Sequence, residues 1–210
     1  MIAVVDYGLG NLFSLISSLR YLGAEAEVTA DPSRIQAADK LILPGVGAFG
    51  DAMARLNQLG LTGILQEQAY AGKPLMGICL GMQLLFDESR EFGCHRGLGL
   101  LPGRVISLAD DLAKKGSRLK VPQMGWNSLD IRRKDCPILQ KSSQGDFVYF
   151  VHSFYAENCN ESLIATTEYG KELTAAVGKD NVFGCQFHPE KSGNVGLKIL
   201  KAFCELGENV

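Results

Sequence analysis

Lys73-Pro74-Leu75-Met76-Gly77-Ile78-Cys79-Leu80-Gly81-Met82-Gln83-Leu84-Leu85-Phe86 is the stretch whose pattern decides the fold. A turn signal at Gly72-Lys73-Pro74 opens it, and the apolar run Leu75 to Cys79 has the length of a buried strand. The periodicity then changes. Leu80 and Leu84, with Met82, Leu85 and Phe86, recur at helical spacing, which predicts a helix running on through Phe86. A strand that feeds straight into a helix, with a cysteine at the join inside Gly-x-Cys-x-Gly, is the cysteine version of a nucleophile elbow. Such a turn strains the nucleophile's backbone and crowds its neighbours, so glycine is needed on both sides. It lifts the sulfur out of the sheet to a helix N-terminus, where the dipole and free N–H groups favour a thiolate. A buried cysteine at a tight junction would show the same motif, so a base is required to decide.

One histidine stands where a base belongs. Gln186-Phe187-His188-Pro189-Glu190 follows an apolar strand, and Pro189 holds His188 extended while fixing its own φ. His188 and Glu190 can then lie on one side of the chain, with the carboxylate orienting the imidazole, in a Cys-His-acid arrangement.

Gly-Ile-Cys-Leu-Gly-Met-Gln around Cys79, taken together with the late Phe-His-Pro-Glu, resembles the class I glutamine amidotransferases. The resemblance implies that Cys79 attacks the glutamine side-chain amide and forms a thioester. His188 would move the protons, Glu190 would orient it, and ammonia would be released without a cofactor. It also implies that Gln83, about one helical turn beyond Cys79, helps hold the substrate rather than being a solvated helix residue. Backbone groups around Ser153-Phe154 would bind the glutamine main chain.

Composition sets the broad class. Hydrophobic residues are 46% and charged residues 21% of the 210, the balance of a soluble globular protein. A formal net charge of −2 gives no electrostatic footprint for nucleic acid. No apolar run approaches the ~18 residues of a membrane span. Met1-Ile2-Ala3-Val4-Val5-Asp6 lacks a basic start and meets an acid too early for a signal peptide, so it reads as a first strand. The six cysteines are scattered, with no Cys-x-x-Cys pair and no zinc spacing, which predicts reduced thiols in the cytoplasm and no metal site. One domain over residues 1–210 is expected at this length.

Strand and helix signals alternate through the first half. Residues 2–5, 25–29 and 40–43 read as strands. A helix with Leu12, Leu15, Ile16, Leu19 and Leu22 on one face ends at Gly23, and Asp31-Pro32 starts a second. Further helices are predicted over 51–58 and 61–70. This rhythm predicts a parallel sheet with right-handed crossovers. From Glu88 the glycines at 93, 97, 99 and 103 break the helical period. Short strands are then expected over 104–108, 118–121, 126–131, 147–151, 163–168, 173–177 and 182–186, with a last helix over 193–205. The expected class is therefore α/β, a mostly parallel sheet flanked by helices with extra antiparallel strands. Gly8-Leu9-Gly10 is no phosphate loop, because Phe13 occupies the place of the third glycine. His95 reads as an exposed loop residue and His152 as locally satisfied at a strand end.

The third strand ends in Pro44-Gly45-Val46-Gly47, at the same carboxyl edge of the sheet as Cys79, where ligands of open α/β sheets sit. Backbone N–H groups around Gly45, Val46 and Gly47, with that of Leu80, are expected to face the developing oxyanion.

Further motifs narrow the resemblance: Asp6-Tyr7-Gly8-x-Gly10-Asn11, Gly97-Leu98-Gly99-Leu100-Leu101-Pro102-Gly103, Met124-Gly125-Trp126-Asn127, Tyr149-Phe150-Val151-His152-Ser153 and His188-Pro189-Glu190-Lys191-Ser192. They are similar to the branch of that family whose members form a heterodimer with a separate (β/α)8-barrel cyclase and pass it ammonia in histidine biosynthesis. The resemblance implies partner contacts at Asn11, Trp126, Tyr149 and Lys191, although Trp126 as plain core is an equal reading. The branch often has histidine before Met-Gly-Trp-Asn; here Gln123 stands there, which would bear on fine interface contacts. A peptide flip at Gly45-Val46 is expected to gate the oxyanion site, with Gly45→Pro as its probe. The same glutaminase serving another synthase, such as a sugar-modifying one, and a non-catalytic interaction subunit are the alternatives.

Overall fold

The computed structural model describes residues 1–207. The first part of the chain alternates as its signals predict: β1 (Ile2–Val5), α1 (Leu12–Tyr21), β2 (Ala26–Thr29), α2 (Pro32–Ala37), β3 (Lys40–Leu43), α3 (Phe49–Gln58), α4 (Leu61–Tyr70), β4 (Leu75–Ile78) and α5 (Leu80–Gln83). The remainder comprises β5 (Phe86–Ser89), β6 (His95–Arg96), β7 (Leu101–Ser107), α6 (Leu108–Lys114), β8 (Gln123–Ser128), β9 (Asp130–Ile131), β10 (Phe147–His152), β11 (Phe154–Glu157), β12 (Leu163–Glu168), β13 (Glu172–Lys179), β14 (Val182–Cys185) and α7 (Gly193–Cys204).

The main sheet has eight strands in the order β2-β1-β3-β4-β14-β13-β12-β9. The pairs from β2 to β14 are parallel, and those from β14 to β9 are antiparallel. β1, β3 and β4 are buried along their whole length, as strands covered on both faces must be. Alternate residues of β1 enter different cores. Ala3 and Val5 pack with Ile35, Leu56 and Leu65 from α2, α3 and α4, while Ile2 and Val4 pack with Leu15 and Leu19 of α1 and Ile199 and Phe203 of α7. A second sheet, β11-β7-β5-β6, and the antiparallel pair β10-β8 are formed by segments that fall between β4 and β12 in the chain. None of the helices among the described residues is long and apolar enough to cross a membrane.

Two expectations fail for identifiable reasons. The helix after Cys79 stops at Gln83, and Phe86 begins β5. The carbonyls of Leu84, Leu85 and Phe86 accept from Leu98, Leu100, Leu101 and Gly99 instead of from the next helical turn. Those side chains are buried on every side, so their helical spacing marks no face. Residues 118–121 form no strand. The order just before them is α6, whose Ser107 cap accepts from the Asp110 N–H and whose Leu108 and Leu112 supply the buried stripe.

Candidate active site

β4 and β14 are parallel neighbours with Ile78 opposite Cys185, so the two motif-bearing segments leave the same sheet edge side by side. Cys79 holds φ 55° and ψ −113° at the junction with α5, a conformation few residues with a side chain adopt. Its N–H donates to the Cys185 carbonyl at 2.7 Å, and its own carbonyl accepts from Met82 at 3.0 Å and Gln83 at 3.2 Å. Both flanking glycines are there for closeness: a Cβ on Gly77 would overlap the Gly81 carbonyl, and one on Gly81 would overlap the Leu43 carbonyl.

His188 Nδ1 lies 2.8 Å from Glu190 Oε1, and each side chain is only 3% exposed. The other ring nitrogen, Nε2, is buried and makes no hydrogen bond, as does Glu190 Oε2. Cys79 Sγ sits 3.8 Å from the Val151 carbonyl and 3.8 Å from Gln186 Nε2. Burial pushes the His188 imidazole down, but the adjacent Cys79 sulfur and Glu190 carboxylate outweigh it and raise it to about 10. A base held by a carboxylate, with its free nitrogen beside a strained cysteine, is the arrangement of a thiol-based acyl transfer.

A cavity of about 470 Å³ opens over this end of the sheet, a size suited to a small metabolite. Cys79, Leu80, Gln83, Val46, Gly47, Ser153, Phe154 and His188 all line it. Gln83 is no solvated helix residue: it is buried, and its Nε2 donates to the Phe154 carbonyl at 2.9 Å and to Gln186 Oε1 at 3.0 Å. Gly45 lies behind the cavity, in an adjoining crevice with Asn11, Pro44 and Glu190. A Cβ there would run into the Tyr7 hydroxyl, which donates to the Pro44 carbonyl at 2.8 Å, and into the Gly81 amide. Gly45→Pro would therefore break packing rather than probe a flip. Conformational freedom in this turn belongs to Gly47, at φ 101° with open space around it.

Several site residues carried no sequence signal. Glu91 lines the cavity with its carboxylate buried, accepting from the Phe49 N–H at 2.6 Å, and burial pushes its carboxyl up. In the sequence it is one acid in a polar stretch. Gln186 adjoins the His188 motif yet reads as the end of a strand. His152 is only half satisfied: Nδ1 lies 2.9 Å from the Phe154 carbonyl, but Nε2 has no partner, and burial pushes the ring down to about 4. His95 is in β6, half-buried with its ring against Gly50, not a free loop residue.

Trp126 is 53% exposed and so is no core residue. Its ring meets that of Tyr149 edge to face at 6.1 Å. Asn11 shares the crevice with Glu190, and the exposed Lys191 follows Glu190 directly. Gln123 is fully buried, which removes it from any direct surface contact.

Residues 3–205 match the family model for glutamine amidotransferase class-I. The imidazole glycerol phosphate synthase subunit HisH of Bacillus licheniformis is 52% identical over 204 residues, covering 97% of this chain and 95% of its own. The subunit of the same name from Syntrophotalea carbinolica is 49% identical over 207 residues, covering 98% of this chain and all of its own. Among solved structures, PurLQS from Thermotoga maritima superposes with a TM-score of 0.74 at 22% identity, over 96% of both chains. A crystal structure of a glutamine amidotransferase gives 0.72 at 18% identity, over 96% of this chain and 99% of that one. At such identities these two likenesses concern the fold alone.

Proposed function

The chain belongs to the class I glutamine amidotransferases, and on that premise we propose that it is the glutaminase subunit of an imidazole glycerol phosphate synthase, supplying ammonia to a cyclase subunit. The observation that carries the chemistry is the buried His188–Glu190 pair, 2.8 Å apart, with its free Nε2 beside Cys79 at the floor of the cavity.

Glutamine enters with its side-chain amide over Cys79. The sulfur attacks the amide carbon, and the carbonyl oxygen becomes an oxyanion facing the Leu80 N–H and the Val46-Gly47 backbone. One well-placed donor of this kind is worth ~2.7–4 kcal/mol in the transition state. His188 gives its proton to the amide nitrogen, the C–N bond breaks, and ammonia leaves behind a thioester. A water molecule then attacks the thioester with His188 as base, releasing glutamate and restoring the thiol. The Ser153-Phe154 backbone, fixed by Gln83 and His152, holds the substrate's main chain. Glu91 accepts its α-ammonium, a charge that suits a carboxylate already buried at the wall.

The partner is a (β/α)8-barrel cyclase, joined as a heterodimer and fed through a sealed ammonia channel. The exposed Trp126 against the half-buried Tyr149 ring, with Asn11 and Lys191 beside the catalytic pair, supports a docking face at this end. Residues 1–210 act as one glutaminase domain, and scattered cysteines with no Cys-x-x-Cys pair support a cytoplasmic setting.

The test is glutamate release from glutamine by this chain alone, with the cyclase, and with cyclase plus its nucleotide ligand. Turnover that rises in the third mixture and vanishes in Cys79→Ala is expected. No rise with a competent cyclase would reassign the partner, and no hydrolysis in any mixture would refute the glutaminase.

A further inference from the structure

Two buried polar atoms without partners belong to directly opposed residues of β8 and β10. Gln123 and His152 are opposite residues in the register of that pair, and both side chains are buried. Directly opposed residues on an antiparallel ladder are side-chain neighbours. Gln123 Oε1 and His152 Nε2 are each without a hydrogen bond.

The surrounding bonds fix the chemistry of both atoms. Asn127 Nδ2 donates to the Glu168 carbonyl at 3.3 Å, so its Oδ1 accepts from Gln123 Nε2 at 3.0 Å. That leaves the Gln123 carbonyl oxygen, an acceptor, as the atom of this amide without a partner. The Phe154 carbonyl can only accept, so the proton of the neutral His152 ring sits on Nδ1, and Nε2 is an acceptor too. Two acceptors cannot bond to one another. Leaving both dry would cost the desolvation of each, and a single two-donor molecule satisfies both.

The far side of this junction is the substrate site. His152 Nδ1 and Gln83 Nε2 converge on the Phe154 carbonyl, Gln83 Nε2 also donates to Gln186 Oε1, and Gln186 Nε2 lies 3.8 Å from Cys79 Sγ. The His152 ring therefore bears, together with Gln83, on the backbone on which the proposed glutamine subsite is built.

We propose that Gln123 is a positioning residue for glutamine binding: its amide oxygen and His152 Nε2 share one bridging water, which locks the His152 ring and, through it, the Phe154 carbonyl and Gln83. This rests on the glutaminase reading above.

The assembled complex with the cyclase is assayed for glutamine hydrolysis as unsubstituted protein, Gln123→Met and Gln123→His. Methionine fills the volume and removes the acceptor, so KM for glutamine should rise about tenfold while kcat at saturation stays within about twofold. Histidine retains a polar ring opposite His152 and should bring KM back to within about threefold of the unsubstituted complex. An unchanged KM in Gln123→Met, or a fall in kcat with KM fixed, overturns the proposal. Should Gln123→Met not fold, a high-resolution crystal structure of the unsubstituted complex decides. A water within hydrogen-bond distance of both atoms supports the bridge, and a direct contact between amide and ring overturns it. An unsubstituted complex that hydrolyses no glutamine would refute the glutaminase itself, and this inference with it.

Discussion

The backbone of Tyr149 holds His188 at both of its peptide groups. The His188 N–H donates to the Tyr149 carbonyl at 2.9 Å. The Tyr149 N–H donates at 3.0 Å to Ser192 Oγ, whose own proton goes to the His188 carbonyl at 2.6 Å. Tyr149 also carries the ring that meets the exposed Trp126. His188 is thus tied to the face proposed for docking by one buried hydroxyl.

Ser192→Ala removes that hydroxyl and strands the Tyr149 N–H and the His188 carbonyl together. The expected result is a kcat for glutamine lowered about tenfold with KM little changed, and a stability loss of roughly 1–3 kcal/mol. Steady-state kinetics and urea denaturation on the same preparations check both.

His188 is raised above its unfolded value of 6.5 to about 10. A group raised on folding stabilises fully below its unfolded pKa and loses that contribution as pH climbs through the folded one. The unsubstituted protein should therefore lose stability relative to His188→Gln between pH 6.5 and 10, at no more than about 1.4 kcal/mol per pH unit. Denaturant midpoints of both proteins across that window test it, and parallel curves would contradict it.

Glu91→Gln keeps the shape of the cavity wall and removes its charge. KM for glutamine should rise about tenfold with kcat nearly unchanged, if the carboxylate holds the α-ammonium. A competitive inhibitor lacking the α-amino group should bind both proteins alike. Equal weakening of that inhibitor would assign Glu91 to structure alone.

Glycine positions should divide sharply. Gly81→Ala drives a methyl into the Leu43 carbonyl, where neither side is a flexible side chain, and should cost roughly 3 kcal/mol or more. Gly63→Ala, exposed in α4 with nothing within 4 Å of the new methyl, should stabilise by about 0.5–1 kcal/mol. Thermal melts of the two variants check the contrast.

Trp126→Ala should weaken association with the cyclase about a hundredfold, because a half-exposed tryptophan held edge to face by a tyrosine is a typical interface anchor. The melting temperature of the isolated chain should hardly move. Titration calorimetry against the cyclase, beside a melt, separates docking from folding.

What the sequence revealed follows from how local each determinant is. The elbow around Cys79 was legible because strain at one residue demands glycine at fixed offsets, and a nearby-in-chain pair such as His188 and Glu190 carries its geometry in its spacing. The parallel half was legible because β1, β3 and β4 are apolar almost throughout and Asp31 and Gly23 mark the ends of α2 and α1. The helix expected through Phe86 failed because distant residues 98–101 take the carbonyls it would need. Glu91, Gln186 and His152 were invisible as site residues because their roles depend on contacts between segments far apart in the chain, and a single polar residue announces none of them. Gln123 was read as a surface contact because a motif shows that a position matters without showing which way its side chain points.

Gly77, Gly81 and Leu43 meet through backbone atoms alone. Where they meet, the separation between α5 and the end of β3, which leads into Val46 and Gly47, is therefore set by backbone atoms. Amino-acid replacement has no means of widening or narrowing that gap by small steps, since there is no side chain to trim or enlarge. The remaining freedom is rotation of a peptide plane, which has discrete positions. Control of this site by a partner should accordingly behave as a toggle rather than a dial, with variants that alter how often the competent state is visited while leaving its geometry the same.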